Sequence, residues 1–260
     1  MKIAIAGKGG VGKTTVAGTL ARLFGRDGRK VLAIDNDPAM NLYSAIGIKK
    51  EDFEKIIPLS EQTKLIENRT ALPGGAFKVN PKVDDIPEKF SIFSSEGIRL
   101  IKIGTVETGD SGCMCPANAF IKALLNHLVL DRDDVVIMDM EAGVEHLGRG
   151  TAKYVDMIII VVEPGRRSAD LAKQIKELAI QLSVDPKRIF IIGNKISSPK
   201  EEDFINLIAK ELNLEILGML PYDRNLVDAD LNGIAILDYK PDSKIVQVLK
   251  DIKMILETQF

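Results

Sequence analysis

The sequence predicts an α/β fold with a mostly parallel central sheet flanked by helices. Short runs rich in β-branched residues alternate with segments of helical periodicity along most of the chain, which is the pattern of βαβ units. The runs are almost continuously apolar, as expected of parallel strands that are buried on both faces. A length of 260 residues fits one domain with a sizeable core, so residues 1–260 are predicted to form that domain. Strands are predicted at 2–6, 30–35, 134–139, 156–163, 188–194 and 215–220.

Helices are predicted between and after these strands, at 14–25, 168–182, 201–212 and 242–258. The last of them carries one apolar stripe, which we expect to lie in the core, formed by Ile245, Val248, Leu249, Ile252, Ile255 and Leu256. The interval from about 46 to 112 interrupts the alternation with scattered Pro and Gly residues. We interpret it as an insertion at the edge of the sheet, with a helix at 51–69 and short strands at 76–79 and 99–103.

Composition excludes several classes of function. The formal net charge is −2 and the isoelectric point is about 5.9, so there is no electrostatic case for nucleic-acid binding. No apolar stretch reaches membrane-spanning length, and the N-terminus runs directly into a strand without a signal sequence. We therefore expect a cytoplasmic protein with no membrane partner, in which the two cysteines remain reduced.

A glycine-rich stretch, GKGGVGKTT at 7–15, follows the first predicted strand and opens the first predicted helix. Its glycines satisfy G-x-G-x-x-G, and Asp35 stands about where a dinucleotide fold places its ribose-binding acid. The same stretch satisfies G-x-x-x-x-G-K-[ST]. Lys13 and Thr14 decide between the two patterns, because a nucleoside triphosphate needs an ammonium group for its β and γ phosphates and a hydroxyl for Mg²⁺. The stretch is therefore predicted to be a P-loop.

The loop is expected to surround the phosphates with backbone N–H groups at a helix N-terminus. Its predicted nucleotide-binding residues are Gly7, Lys8, Gly9, Gly10, Val11, Gly12, Lys13, Thr14 and Thr15. The general pattern does not require a second lysine inside the loop, yet Lys8 is present. GKGGVGKT resembles the deviant Walker A motif of the dimeric ATPases that include nitrogenase iron protein, MinD and the ParA partition proteins. The resemblance implies a homodimer that binds ATP or ADP, in which Lys8 reaches the nucleotide of the partner chain. The alternative is that Lys8 is a solvent-exposed loop residue without a function.

Acidic residues follow two of the predicted strands. Asp35 and Asp37 lie in DNDP at 35–38, and Asp139 ends the apolar run before DMEAG at 139–143. Asp37 resembles the family's switch I aspartate, which orients or activates the attacking water, while Asp35 has a less certain role near Mg²⁺. Asp139 resembles the Walker B acid, and Gly143 the switch II glycine that contacts the γ-phosphate. The resemblance thus implies Lys8, Lys13, Asp37 and Asp139 as catalytic residues, and Thr14, Asp37 and Asp139 as the magnesium site.

Three further positions resemble the family's base-binding residues. Asn194 follows the predicted strand at 188–194 and resembles the residue that contacts the adenine edge. Pro221 and Tyr222 follow the strand at 215–220, where the family packs the base against its backbone. Each of these could instead be an ordinary loop residue.

Cys113 and Cys115 are the two cysteines of the chain and are separated by one residue. Pro116 suits a first helical position and biases Cys115 toward an extended backbone, in which alternate side chains point the same way. A helix N-terminus also favours thiolates. A soft divalent metal prefers about four ligands, and one chain offers two sulfurs, so we expect a metal shared by two chains across a two-fold axis. The alternative is that both cysteines are small buried hydrophobes.

GCMCPAN at 112–118, with FKVNPKVD at 77–84 and VEPGR at 162–166, resembles the CooC-type nickel-inserting ATPases. The resemblance implies Ni²⁺ as cargo, with Zn²⁺ obeying the same thiolate chemistry, and a client that is carbon monoxide dehydrogenase or acetyl-CoA synthase. Two alternatives stay open: an iron–sulfur reductase like nitrogenase iron protein, and a positioning ATPase of the MinD or ParA kind. The close spacing of the two cysteines argues against the reductase, whose cluster ligands come from separate segments. The lack of a basic amphipathic C-terminus and of net positive charge argues against the positioning ATPase. The roles of Glu145 and His146 after switch II also stay open.

Overall fold

The computed structural model describes residues 1–104, 116–127, 135–140 and 155–259. These residues form an eight-stranded sheet in the order β3-β4-β2-β5-β1-β6-β7-β8. All neighbouring strands are parallel except β3, which pairs antiparallel with β4 at one edge. The strands are β1 (Lys2–Gly7), β2 (Val31–Asn36), β3 (Ser91–Phe93), β4 (Arg99–Lys102), β5 (Val135–Met140), β6 (Met157–Val162), β7 (Ile189–Ile196) and β8 (Glu215–Pro221).

Helices cover both faces of this sheet, so the predicted α/β class is confirmed. The α-helices among the described residues are α1 (Lys13–Arg26), α2 (Leu42–Ala45), α3 (Lys50–Phe53), α4 (Thr63–Thr70), α5 (Ile86–Lys89), α6 (Pro116–His127), α7 (Arg166–Gln181), α8 (Pro199–Leu212), α9 (Arg224–Leu231), α10 (Ile236–Tyr239) and α11 (Lys244–Gln259). None of the helices in these ranges combines the length and the apolar character that a membrane span requires.

The apolar strands separate two cores. In β2, Leu32 and Ile34 contribute to the core beneath α6, α7 and α8, whereas Val31 and Ala33 contribute to the core beneath α1 and α11. Alternate side chains of a strand point to opposite faces, and both faces are covered here. This double burial is the physical reason why the strand sequences are continuously apolar instead of alternating.

Two predictions for the interval 46–112 are wrong. The helix predicted at 51–69 is divided into α3, a short 3-10 turn at Leu59–Glu61 and α4. Pro58 precedes that turn, and proline both lacks an N–H donor and disfavours helical backbone at the preceding residue. The strand predicted at 76–79 is only an isolated bridge between Ala71 and Phe77, because Ala71 directly follows α4 and no extended segment precedes it to pair with.

The fourth strand was predicted correctly, while its edge neighbour was not predicted at all. Residues Arg99–Lys102 pair in parallel with β2 and so belong to the central sheet. The antiparallel strand β3 is three residues long and half exposed, which leaves little periodicity to detect. The interpretation of 46–112 as an insertion stays a prediction.

The register of the sheet places the predicted site residues together. Ile5 of β1 lies opposite Asp139 of β5, and Asp139 lies opposite Asp35 of β2. On the other side of β1, Gly7 lies opposite Val161 of β6. Because these strands are parallel, their carboxyl ends meet at one edge, where ligands of open α/β sheets bind.

Candidate nucleotide-binding site

The P-loop connects β1 to α1 in a conformation that depends on its glycines. Gly7 has φ 147°, and a Cβ there would lie 2.5 Å from the carbonyl oxygen of Val161. Gly12 has φ 99°, and its Cβ would lie 2.4 Å from the side-chain nitrogen of Asn194. Positive φ and close backbone approach both favour glycine. Gly12 precedes α1 and has no side chain that could cap it, so the first N–H groups of the helix, which have no partners within it, are available to a phosphate.

Lys13, the first residue of α1, is folded back over the loop. Its side chain is buried, and its ammonium donates to the carbonyl oxygen of Lys8 at 3.3 Å. A long contact to one carbonyl leaves the other two N–H groups of the ammonium available. Lys13 is therefore placed to bind phosphate oxygens as a point charge.

Thr14 and Asp139 form the second part of the site. The hydroxyl of Thr14 donates to Asp139 Oδ2 at 2.6 Å. Asp139 is fully buried, and its Oδ1 has no hydrogen-bond partner among the described residues. Burial raises the pKa of Asp139 to about 7, against the opposing effect of the hydrogen bond from Thr14. A buried carboxylate oxygen without a partner, beside a hydroxyl oxygen, is a donor set that suits Mg²⁺.

The magnesium site would include oxygens other than protein carboxylates. Within the described part of the chain, no three His, Cys, Asp or Glu side chains converge as a metal site. Mg²⁺ in nucleotide sites typically uses one or two carboxylates, substrate phosphates and water. The geometry around Thr14 and Asp139 fits that type of site.

Asp35 organises the turn after β2. Its Oδ2 accepts from the backbone N–H of Leu42 at 3.0 Å and its Oδ1 accepts from that of Asp37 at 3.3 Å. Burial raises the pKa of Asp35 to about 6, although these backbone hydrogen bonds lower it. Asp37 is more exposed, and its Oδ1 accepts from the N–H of Ala39 at 2.9 Å. Asp35 thus positions the segment that carries Asp37.

Lys8 makes an ion pair that sequence analysis missed. Its ammonium donates to Glu163 Oε1 at 2.8 Å. The other carboxylate oxygen of Glu163 accepts from Lys195 at 3.0 Å, and Lys195 also donates to the carbonyl oxygen of Gly10 at 2.7 Å. Glu163 follows β6 directly and Lys195 lies near the end of β7. Both residues lie at or near the carboxyl end of a strand, and this is the feature of the sequence that could have indicated their contact.

The chain is similar to a family of known nucleotide-binding proteins. Residues 2–236 match the family described as the CobQ/CobB/MinD/ParA nucleotide binding domain. The chain belongs to this family. As predicted from the P-loop, it is therefore an ATP-binding protein and an ATPase.

Individual members of this family cover nearly the whole chain. An uncharacterized ATP-binding protein of Methanocaldococcus jannaschii is 44% identical over 99% of this chain and 100% of its own length. The carbon monoxide dehydrogenase accessory protein CooC of Rhodospirillum rubrum is 44% identical over 93% of this chain and 91% of its own length. Among solved structures, the MinC:MinD cell division complex of Aquifex aeolicus matches with a TM-score of 0.71 at 22% identity, covering 99% of this chain and 95% of that one. The structural match shows the fold.

The base-binding residues expected in this ATPase lie at the ends of two adjacent strands. Asn194 is buried, donates to the carbonyl oxygen of Val11 at 2.7 Å and accepts from the N–H of Lys195 at 2.8 Å. Pro221 pairs with the end of β7, and Tyr222 is half exposed beside it. In this conformation the amide of Asn194 supports the P-loop, and its role in adenine recognition stays a prediction.

Part of the expected site falls on residues that the structure does not describe. Cys113, Cys115 and Gly143 lie outside the described residues, as do Glu145 and His146. The described part of helix α6 starts at Pro116, so the expected place of this proline at the first helical position stays a prediction.

Proposed function

We propose that this ATPase is a Mg²⁺-dependent homodimer that delivers nickel to a carbon monoxide dehydrogenase or acetyl-CoA synthase. The observation that carries this proposal is the similarity to CooC, a carbon monoxide dehydrogenase accessory protein, at 44% identity over 93% of the chain. The nucleotide site supplies the energy-dependent step, and the C-x-C pair supplies the metal ligands. Ni²⁺ is the cargo, although Zn²⁺ can occupy thiolate ligands of this kind.

The nucleotide chemistry follows from the arrangement of side chains. Lys13 would bind the β and γ phosphates, and Thr14 and Asp139 would hold the Mg²⁺ that offsets their negative charge. Asp37 stands on the turn that Asp35 organises, where it orients the attacking water and contributes to the Mg²⁺ site. Lys8 contacts the nucleotide of the second chain, which makes hydrolysis depend on dimerisation.

The position of α6 supports a metal site at the C-x-C pair. Phe120 and Leu124 of α6 are buried beneath the sheet. Cys113 and Cys115 shortly precede this helix in the sequence, and in general a helix N-terminus favours thiolates close to it. Two copies of Cys113 and Cys115 across a two-fold axis provide four sulfurs, which a tetrahedral thiolate site requires.

Metal uptake by the dimer tests this function. Anaerobic equilibrium dialysis against Ni²⁺ is expected to give one metal per dimer for the parent protein and little for Cys113→Ser/Cys115→Ser. Met114→Leu is the matched control, because it changes the same loop without removing a thiol. Equal Ni²⁺ uptake by the parent and the double serine variant would contradict the site, and the visible absorption of an iron–sulfur cluster would instead indicate the reductase.

A second measurement separates the two sites. Lys13→Ala is expected to abolish ATP hydrolysis while retaining part of the Ni²⁺ affinity, since its ammonium lies in the nucleotide site, where it donates to the carbonyl oxygen of Lys8. The double serine variant is expected to lose Ni²⁺ and to keep nucleotide binding. Identical losses of both activities in the two variants would refute separate sites.

A further inference from the structure

Glu163 lies between two lysines at the edge of the nucleotide site. Each of its carboxylate oxygens accepts one ammonium, from Lys8 at 2.8 Å and from Lys195 at 3.0 Å. Its side chain is 21% exposed, whereas those of Lys8 and Lys195 are 40% and 44% exposed. The carboxylate is thus the fixed centre of the cluster, and the lysines approach it from the solvent side.

The charge state of Glu163 depends on both lysines. Burial alone raises the pKa of this carboxyl, but the hydrogen bonds from Lys8 and Lys195 outweigh it and lower the pKa overall. If either Lys8 or Lys195 leaves, the other lysine still pairs with the carboxylate. Glu163 can therefore release one partner without becoming an unpaired charge, which would be costly in a partly buried position.

Lys195 is held independently of Lys8. Its backbone has φ 60°, a left-handed conformation that non-glycine residues seldom adopt. Its N–H donates to Asn194 Oδ1 at 2.8 Å, and its ammonium donates to the carbonyl oxygen of Gly10 at 2.7 Å. Strained backbone persists where surrounding contacts over-determine it. The ammonium of Lys195 thus has a second acceptor besides Glu163, whereas among the described residues that of Lys8 donates to Glu163 alone.

We propose that Glu163 is a positioning residue that holds Lys8 on its own chain in the absence of a second copy, with Lys195 as the anchor that keeps Glu163 in place. The inference rests on the proposed function, in which Lys8 contacts the nucleotide of the partner chain. An ammonium that donates to Glu163 at 2.8 Å must leave this carboxylate to cross an interface. Breaking the Lys8–Glu163 contact is therefore part of the free-energy cost of nucleotide-dependent dimerisation.

Opposite substitutions in this cluster have opposite expected effects. Glu163→Gln weakens the hold on Lys8, so the dimer dissociation constant with a non-hydrolysable ATP analogue is expected to fall by roughly three- to fivefold, the size typical of partly exposed ion pairs. Lys195→Met leaves Lys8 as the main counter-ion of Glu163, so the same constant is expected to rise. General structural damage would instead change the dimer dissociation constant of both variants in the same direction.

Sedimentation velocity at graded protein concentrations measures these constants. Glu163→Asp keeps the charge and is expected to restore nearly parental dimerisation. Glu177→Gln, which removes the exposed pair with Lys173 on α7, is the matched control and is expected to match the parent. The effect of Glu163→Gln is expected to vanish in a Lys8→Ala background, because it acts through Lys8.

The outcomes distinguish the inference from the proposed function. If the parent dimerises with nucleotide but Glu163→Gln dimerises equally or less well, the inference is overturned and the proposed function stands. A gain that persists without Lys8 also overturns the inference. If the parent forms no nucleotide-dependent dimer, both are overturned.

Discussion

Thr14, in the first turn of α1, donates its hydroxyl hydrogen to Asp139 at the end of β5 across 2.6 Å. The contact joins the P-loop helix to a neighbouring strand and leaves the other oxygen of Asp139 without a hydrogen-bond partner among the described residues. One buried carboxylate thus orients a hydroxyl with one oxygen and offers the other to a cation.

Replacing Thr14 tests that arrangement. Thr14→Val removes the hydroxyl while keeping the branched shape, so both the hydrogen bond to Asp139 and one Mg²⁺-directed oxygen are lost. ATP hydrolysis is expected to fall by roughly 10- to 100-fold, the usual effect of removing a group that orients a metal ligand. Thr14→Ser keeps the hydroxyl and is expected to retain most activity. A steady-state phosphate-release assay over a range of Mg²⁺ concentrations distinguishes the two variants.

The raised pKa of Asp139 makes Mg²⁺ binding depend on pH. The carboxyl has a pKa of about 7, and a metal ligand must be deprotonated, so Mg²⁺ competes with one proton. The apparent Mg²⁺ affinity of the nucleotide complex is expected to fall by up to about tenfold per pH unit below 7. Titration calorimetry at pH 6, 7 and 8 measures it, and a pH-independent affinity would contradict a direct role for Asp139.

The same pKa shift predicts how pH changes stability without nucleotide. Because the folded-state pKa lies above the ordinary value of 3.8, the contribution of Asp139 to stability is full below 3.8 and is lost as the pH rises through about 7. Asp139→Asn removes the buried charge, so this variant is expected to unfold at a higher temperature than the parent at pH 8 and to differ less at pH 5. Thermal unfolding at both pH values is the measurement, and equal differences at both would refute the assignment.

Gly12 is expected to tolerate no side chain. Gly12→Ala meets a positive φ of 99° and places Cβ 2.4 Å from the amide nitrogen of Asn194. Nucleotide binding is expected to be lost, because Asn194 would have to leave the carbonyl of Val11. Gly28→Ala is the control: its φ is 79° with open space around the position, so it experiences the backbone cost of about 1–2 kcal/mol without the clash. Fluorescent ADP binding and thermal unfolding separate the two effects.

A buried arginine in the second half of α1 is expected to contribute to stability. Arg22 is nearly fully buried and donates to both oxygens of Glu96 and both oxygens of Asp238. Arg22→Met leaves two carboxylates without their main partner, and the free energy of unfolding is expected to fall by about 1–3 kcal/mol. Arg26→Met removes a more exposed donor to the same carboxylates and is expected to cost less. Urea denaturation measures both, and ATP hydrolysis by the folded fraction is expected to be unchanged.

Much of the sheet could be predicted because its signals are local. Continuous apolar runs identified the strands that lie between covered faces, and Lys13 with Thr14 identified the P-loop without reference to distant residues. The prediction of one helix over 51–69 was wrong because Pro58, which lies between α3 and α4, interrupts the helical backbone. Strand β3 escaped prediction because three residues at an edge carry too little pattern.

The sequence by itself determined the fold class, the position of the predicted phosphate-binding loop and the acids that follow the strands, since each depends on residue types at short spacing. Only the tertiary structure decided which side chains those groups meet. Lys8 and Glu163 are 155 positions apart, and only the pairing of β1 with β6 brings them together. The physical reason is that strand order, which sequence spacing does not encode, selects the neighbours of each carboxyl end.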